Sequence, residues 1–381
     1  MRGTALDFAP GGMWSAHDGW DWDTVLQYYL KSENNSDFHS SPYHSTRGPV
    51  QISRVAPEDR SSASGLFERA AVESGKAVYN ADFNGERRLG VGPYQFLIRN
   101  GVRDSTATAF LGIHRYGNVS HGGEPNVDLE PGALVNRVIF SNTADPTPTA
   151  QGVLYTDEGG IERYAKARHE IVLSAGALGT PAVLLRSGIG DHEYLRRVGA
   201  VDLVGPSLPD VGIGLMDGVF LIAQFLIDSK GDDGWERCSP FDTDTVRSEF
   251  CMRASEMYTL NGSDGGMRRG AYAMPGVSTG MFLQSPYAIL ASGPDVQITF
   301  HPWDKFQRNW TKLERGRDIT EGARVVTLEI SNNHARSRGS VRLGQGGARD
   351  AAVPTVVDTP YMKDDYDAKA LIWALHQVRQ I

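Results

Sequence analysis

Apolar and polar positions change rhythm twice along the chain. In residues 12–33 a Trp-rich turn gives way to a run in which Val25, Leu26, Tyr28 and Tyr29 share one side. That spacing predicts a helix, with Asp23 or Thr24 as its cap. Residues 64–74 read as a second helix, and Gly75 supplies the stop. Residues 80–92 are loop-like and rich in glycine. From Val127 onward the rhythm is that of strands, at Leu134–Ser141, 152–156 and 161–165. Asp157-Glu158-Gly159-Gly160 makes a hairpin between the last two, so the region is a small meander.

A sharper unit follows. Ile171-Val172-Leu173 reads as a short buried strand, and Ser174-Ala175-Gly176 breaks it. Thr180 and Pro181 then suit the N-cap and first position of a helix that runs through Arg186 and stops at Gly188. Strand, small-residue turn and helix N-terminus can approach a phosphate or a dinucleotide, and the same order occurs at ordinary βα turns. Residues 219–335 mix β-rich stretches (220–225, Val296–His301, 325–330) with Gly/Ser/Asp loops, as expected of a layer built on an antiparallel sheet. The tail gives a strand at Gly339–Leu343 and a helix from about Lys363, with Ala368, Leu371, Ile372 and Leu375 on one side and no evident stop before Ile381. No internal repeat is present.

Composition changes this picture by exclusion. The 381 residues include 40% hydrophobic and 22% charged positions, ordinary for a folded globular chain. A net charge of −8, with arginines scattered, argues against a nucleic-acid partner. No apolar run is long enough to span a membrane as a helix. Cys238 and Cys251 are the only cysteines, too few for a zinc site or a disulfide framework; they pair with each other or stay as free thiols. The sequons at Asn34, Asn118, Asn261 and Asn309 carry little weight.

Several catalytic signatures fail. There is no G-x-G-x-x-G and no P-loop. His169-Glu170 and His192-Glu193 lack the second histidine of a zinc hydrolase, and the ten histidines show no ligand spacing. Gly276-Val277-Ser278-Thr279-Gly280 matches G-x-S-x-G, but Ser285-Pro286 follows too soon for the helix that a nucleophile elbow requires.

One long run is specific. Residues 176–190, from Gly176-Ala177-Leu178-Gly179-Thr180-Pro181 to Ser187-Gly188-Ile189-Gly190, resemble the second signature of the glucose–methanol–choline (GMC) oxidoreductases. The neighbours agree in order: Asp7-Phe8, Trp14 and Gly19-Trp20; Tyr43-His44 with Gly48-Pro49; Asp82-Phe83-Asn84-Gly85; Asn100-Gly101-Val102-Arg103-Asp104-Ser105-Thr106; Leu208-Pro209-Asp210-Val211-Gly212; and Ser337-Arg338-Gly339-Ser340-Val341. The resemblance extends over nearly the whole chain.

The resemblance implies an α/β (α+β) fold: an incomplete FAD/NAD(P)-binding Rossmann-like domain with a β-meander, plus an antiparallel-sheet substrate domain. It places the FAD-binding part in residues 1–218, a β-rich substrate lid in 219–332 and the start of the C-terminal region in 333–381. It implies FAD as cofactor, with Val135 at the adenine edge and Ser174, Ala175 and Gly176 as the turn that approaches the adenosine half. It also implies oxidation of the CH–OH group of a small alcohol, with hydride passing to flavin N5 and oxygen, a dye or a quinone as acceptor. The family's glycine fingerprint and its catalytic histidine have no counterparts in this sequence, so no catalytic residue is assigned. The expectation is a fragment of an oxidoreductase, inactive as an isolated chain; the alternative is a truncated, non-catalytic derivative that binds FAD weakly or not at all. Gly214 and Gly218 also stand where the family usually has Asn and His.

Overall fold

The computed structural model describes residues 2–9, 19–112, 127–143, 145–200, 202–228, 273, 275–288, 293–302 and 323–381. The chain divides into two compact units. One comprises Met1–Pro125, Val219–His334 and Ala368–Ile381, the other Asn126–Gly218 and Ala335–Asp367.

The first unit opens with α1 (Ala5–Phe8) and α2 (Trp22–Ser32). The cap of α2 is Asp21, two or three residues ahead of the expected Asp23 or Thr24, because Asp21 Oδ1 accepts from the Thr24 amide at 3.0 Å. Next come β1 (Glu33–Asn35), β2 (Val50–Arg54), α3 (Ser62–Glu73), β3 (Gly90–Pro93), β4 (Gln95–Phe96), β5 (Ile98–Arg99), β6 (Val102–Arg103) and α4 (Thr106–Leu111). Helix α3 starts from the Ser61 cap, and Gly75 at φ +71° ends it as expected. Asn100-Gly101, both at positive φ, turn β5 into β6, and Ser105 caps α4.

In the second unit β7 (Leu134–Ser141), β8 (Thr149–Thr156) and β9 (Glu162–Lys166) form the expected antiparallel meander. Asp157 and Gly160 close its hairpin. Then follow α5 (Gly176–Arg186), α6 (His192–Arg197) and β10 (Ile213–Leu215). Two readings need correction here. Residues 171–173 form no strand among the described residues, and Val172 is 76% exposed. Three apolar residues satisfy a local strand pattern, but burial depends on a neighbouring strand that the pattern cannot supply. Helix α5 also begins at Gly176 rather than at Pro181. Ala177, four residues before Pro181, is exposed, so water can serve the carbonyl that the proline cannot.

The chain then returns to the first unit as β11 (Phe220–Asp228), β12 (Thr279–Leu283), β13 (Val296–His301) and β14 (Ala323–Asn332). With β3 they make an antiparallel sheet in the order β11-β14-β13-β12-β3. Its inner face, including Met281, Ile298, Phe300, Leu328 and Ile330, is buried, and Phe67 of α3 stacks on Phe300 at 4.8 Å. Strands β15 (Gly339–Leu343) and β16 (Thr355–Asp358) join β10 in a small sheet of the second unit. Leu185, Leu195, Tyr194 and Leu343 pack beside it as a core cluster. The last helix, α7 (Asp365–Val378), buries Tyr366, Ala370, Leu371, Ala374 and Val378. Its apolar side is therefore rotated from the one expected, and Ile372 is exposed. Cys238, Cys251, Asn118, Asn261 and Asn309 lie outside the described residues; Asn34 sits in β1.

Candidate functional site

Val135 lies in β7, half-buried and paired with Tyr155 of β8, beside a register shift between Val135 and Arg137. Ser174, Ala175 and Gly176 form an exposed turn into α5, with Gly176 at φ +81° and nothing within 4 Å of where a Cβ would stand. The Ala175 amide donates to Thr180 Oγ1 at 3.0 Å, fixing the turn from inside the helix. Arg186, at the far end of α5, ties that helix to β7. Its Nε donates to the Asn136 carbonyl at 2.8 Å and its Nη2 to the Val135 carbonyl at 3.4 Å. Ser187 adds a second tie, accepting from the Val138 amide at 2.9 Å while donating to the Val183 carbonyl at 2.6 Å. Residues far apart in sequence are thus held as one scaffold, and the clamp at Arg186 was not legible from motif matching. Arg sits there because a planar cation with several donors can serve two adjacent carbonyls.

The first unit holds a buried ionic network that sequence reasoning also missed. His44 Nδ1 lies 2.7 Å from Glu33 Oε1, and its Nε2 lies 3.0 Å from Asp82 Oδ2. Arg2 Nη1 donates to Glu33 Oε2 at 3.1 Å. Asn35 Nδ2 donates to Glu33, and Gln95 Nε2 to Asp82, each at 2.8 Å. Two cations face two carboxylates, so the cluster is neutral as a whole. Burial alone would push the His44 imidazole down, but the hydrogen bonds and charges of Asp82 and Glu33 outweigh it and hold the group at about 9. Desolvation would raise Asp82, yet the bonds from His44 and Gln95 keep it below the usual carboxylate range. Gly48, in the Tyr43–Pro49 motif, lets the chain pass this cluster. A Cβ there would meet the Ser32 carbonyl carbon at 2.2 Å, and the Gly48 amide donates to the Glu33 carbonyl at 2.8 Å. The motif glycine and histidine therefore serve one polar core.

Two further histidines have defined surroundings. His301 Nε2 is 3.5 Å from Glu329 Oε2 on the five-stranded sheet. His334 Nε2 is 3.9 Å from Asp7 Oδ1, with its pKa lowered by desolvation. In the G-x-S-x-G run, Ser278 is 2% exposed, donates to Ser64 Oγ at 3.1 Å and leads straight into β12. No helix follows it, so the run is not a nucleophile elbow.

A meander, a small-residue turn at a helix start and a separate antiparallel sheet define a mixed α/β fold. The chain belongs to the GMC oxidoreductase family, whose profile it matches over residues 2–218. It is 31% identical over 226 residues to an oxygen-dependent choline dehydrogenase of Chromohalobacter salexigens, covering 59% of this chain and 37% of that protein. It is 29% identical over 359 residues to an alcohol dehydrogenase [acceptor] of Pseudomonas putida, covering 93% of this chain and 56% of that one. The crystal structure of an Aspergillus oryzae formate oxidase superposes with a TM-score of 0.73 at 20% identity, over 99% of this chain and 64% of that one. The likeness at that identity is one of fold. This chain spans between 37% and 64% of the lengths of these relatives.

Proposed function

We propose that the chain carries cofactor- and substrate-framing parts of an FAD-dependent oxidoreductase acting on the CH–OH group of an alcohol. The observation behind this reading is the family match over residues 2–218, which includes both the Val135 strand and the Ser174–Gly176 turn. The turn is open and built of small residues, which suits close approach by a ligand, and the far end of the helix it opens is held to β7 by Arg186. On this reading the Val135 backbone and residues 174–176 would hold the adenosine half of FAD, and residues 219–332 form the substrate lid. Bound flavin would supply the hydride acceptor that no side chain can provide. The chain's own residues position, exclude water and recognise substrate. The acceptor that reoxidises the flavin is oxygen or a dye or quinone.

The 76% exposure of Val172 favours a second reading, a truncated, non-catalytic GMC-derived chain that binds FAD weakly or not at all, because the segment leading into the turn lacks a strand partner among the described residues. One experiment separates the two. The purified chain is mixed with FAD, desalted and scanned for bound flavin, then offered a panel of alcohols with a dye acceptor. Retained flavin with alcohol-dependent dye bleaching supports the first reading. Flavin-free protein without turnover supports the second.

A further inference from the structure

Two Asn-Gly steps lie among the described residues, and the fold treats them differently. Asn84, in the Asp82–Gly85 turn, is half-buried and hydrogen-bonded. Its Nδ2 donates to Gln95 Oε1 at 3.2 Å, and its Oδ1 accepts from the Arg2 amide at 3.3 Å. The buried Gly85 amide donates to the Asp82 carbonyl at 3.4 Å. Asn100 instead stands exposed at the tip of the β5–β6 hairpin, at φ +50° with Gly101 at φ +75°. Among the described residues neither its side chain nor the Gly101 amide has a hydrogen-bond partner. The hairpin is only two residue pairs long, Ile98 with Arg103 and Arg99 with Val102.

From this contrast we propose that Asn100 is a site of spontaneous deamidation, and that the hairpin it tips loosens as it converts. The Gly101 nitrogen attacks Asn100 Cγ. The Cγ–Nδ2 bond breaks, and ammonia leaves with the proton that the Gly101 amide gives up. Water then opens the succinimide ring. Attack at the Cγ carbonyl gives aspartate, and attack at the main-chain carbonyl gives isoaspartate, whose backbone runs through Cγ. The sum is one amide and one water exchanged for one carboxylic acid and one ammonia, with no change of oxidation state. The step requires the peptide between the two residues to rotate out of the left-handed turn. A glycine without Cβ allows that rotation. A hairpin this short, with Val102 and Arg103 exposed, opens at little cost. At Asn84 the same rotation must first break the bonds to Gln95, Arg2 and the Asp82 carbonyl.

Conversion acts on the ion pair beside the turn. Arg99 Nη2 donates to Asp104 Oδ2 at 3.0 Å and to the Pro49 carbonyl at 2.6 Å. Asp104, 2% exposed, also accepts from the Gln51 amide at 2.7 Å and from Thr108 Oγ1 at 2.9 Å. One carboxylate thus straps β2, the hairpin and α4 together. A new carboxylate at position 100 is the immediate neighbour of Arg99 and competes with Asp104 for its guanidinium. Isoaspartate adds a backbone atom to a turn whose two residues set the hairpin register. Either product weakens the hold on Asp104. None of this depends on bound flavin.

The test is to age the full chain in mildly alkaline buffer, folded and in urea, and to digest samples with trypsin. Mass spectra follow the amide-to-acid gain at Asn100 and at Asn84. In the folded chain Asn100 should convert at least about tenfold faster than Asn84, the factor that one or two ordinary hydrogen bonds supply. In urea the two rates should converge. Asn84 keeping pace with Asn100 in the folded chain, an unconverted Asn100, or the same ratio in urea overturns the proposal. Hydrogen exchange on the aged chain reads the consequence. Exchange at the Gln51 amide should quicken as Asn100 converts, and should not in Asn100→Gly, which suits the positive φ and carries no amide side chain. Quickening on ageing in that variant too, or no quickening in the parent, would show that conversion leaves the strap intact and overturn the loosening.

Discussion

His44 is held between two carboxylates from separate parts of the chain, with Glu33 on Nδ1 at 2.7 Å and Asp82 on Nε2 at 3.0 Å. The imidazole has no exposed side-chain surface, and Glu33 is nearly as deep. A charge so placed is tolerable because carboxylates answer both imidazole nitrogens. The cluster ties β1, the Tyr43–Pro49 loop and the Asp82–Gly85 turn together, so two separate family motifs and one strand converge on one structural centre.

Removing the imidazole should therefore destabilise the first unit strongly. His44→Ala leaves two buried carboxylates facing each other and is expected to cost about 3–5 kcal/mol, the usual penalty for breaking a buried ion pair from one side. Thermal unfolding by calorimetry reads this directly. A midpoint equal to that of the parent chain would show that the network is incidental.

The same bonds set a pH dependence of known sign. His44 is raised from 6.5 to about 9 in the folded chain, so its contribution is fully present below about pH 6.5 and is lost as pH rises through 9. Asp82 is shifted the other way, and its share is present above the ordinary carboxylate value of 3.8 and lost only as pH falls through its lower folded value. Unfolding midpoints should thus fall between neutral and alkaline pH, and His44→Gln should flatten that slope. Parallel slopes for the two proteins would count against the assignment.

Much of the local architecture is legible in the sequence, and the reasons are local. Leu134–Ser141, Val296–His301 and Gly339–Leu343 match the observed strands because alternation and flanking turns are properties of the segment itself. Gly75 and the Asp157–Gly160 hairpin succeed on the same ground. The 171–173 strand fails because pairing is a non-local condition. The Glu33–His44–Asp82 network and the Arg186 clamp escape for a related reason. Each joins residues whose sequence separation carries no pattern, and only the fold shows that they meet. The faces of β13 are intermediate: period-two alternation is visible in Gln297, Thr299 and His301, but the register that sets Ser331 and Glu329 of β14 opposite Gln297 and Thr299 is not.

Ser278 offers a check on the sequence signature that the fold sets aside. Buried at 2% exposure and hydrogen-bonded to Ser64, it has no route to an acyl substrate. A fluorophosphonate probe should leave the native chain unlabelled, and Ser278→Ala should not change background ester hydrolysis. Labelling that disappears in the variant would restore a hydrolase reading.

Arg186 gives the sharpest test of the scaffold behind the proposed cofactor turn. Its guanidinium is partly desolvated, which lowers its pKa, and it donates to two carbonyls of β7. Replacing it by methionine keeps most of the packing volume and removes both bonds. The expected loss is about 1.5–3 kcal/mol, as for hydrogen bonds from a charged donor. It should be local, because the carbonyls it serves belong to one strand of the meander. Hydrogen exchange should quicken at amides of Leu134–Ser141 and Thr149–Thr156 in Arg186→Met. Amides of Val296–His301, which belong to the other compact unit, should keep their protection. Uniform acceleration across both units would mean that Arg186 supports global stability instead, and unchanged exchange in the meander would mean that the clamp holds nothing.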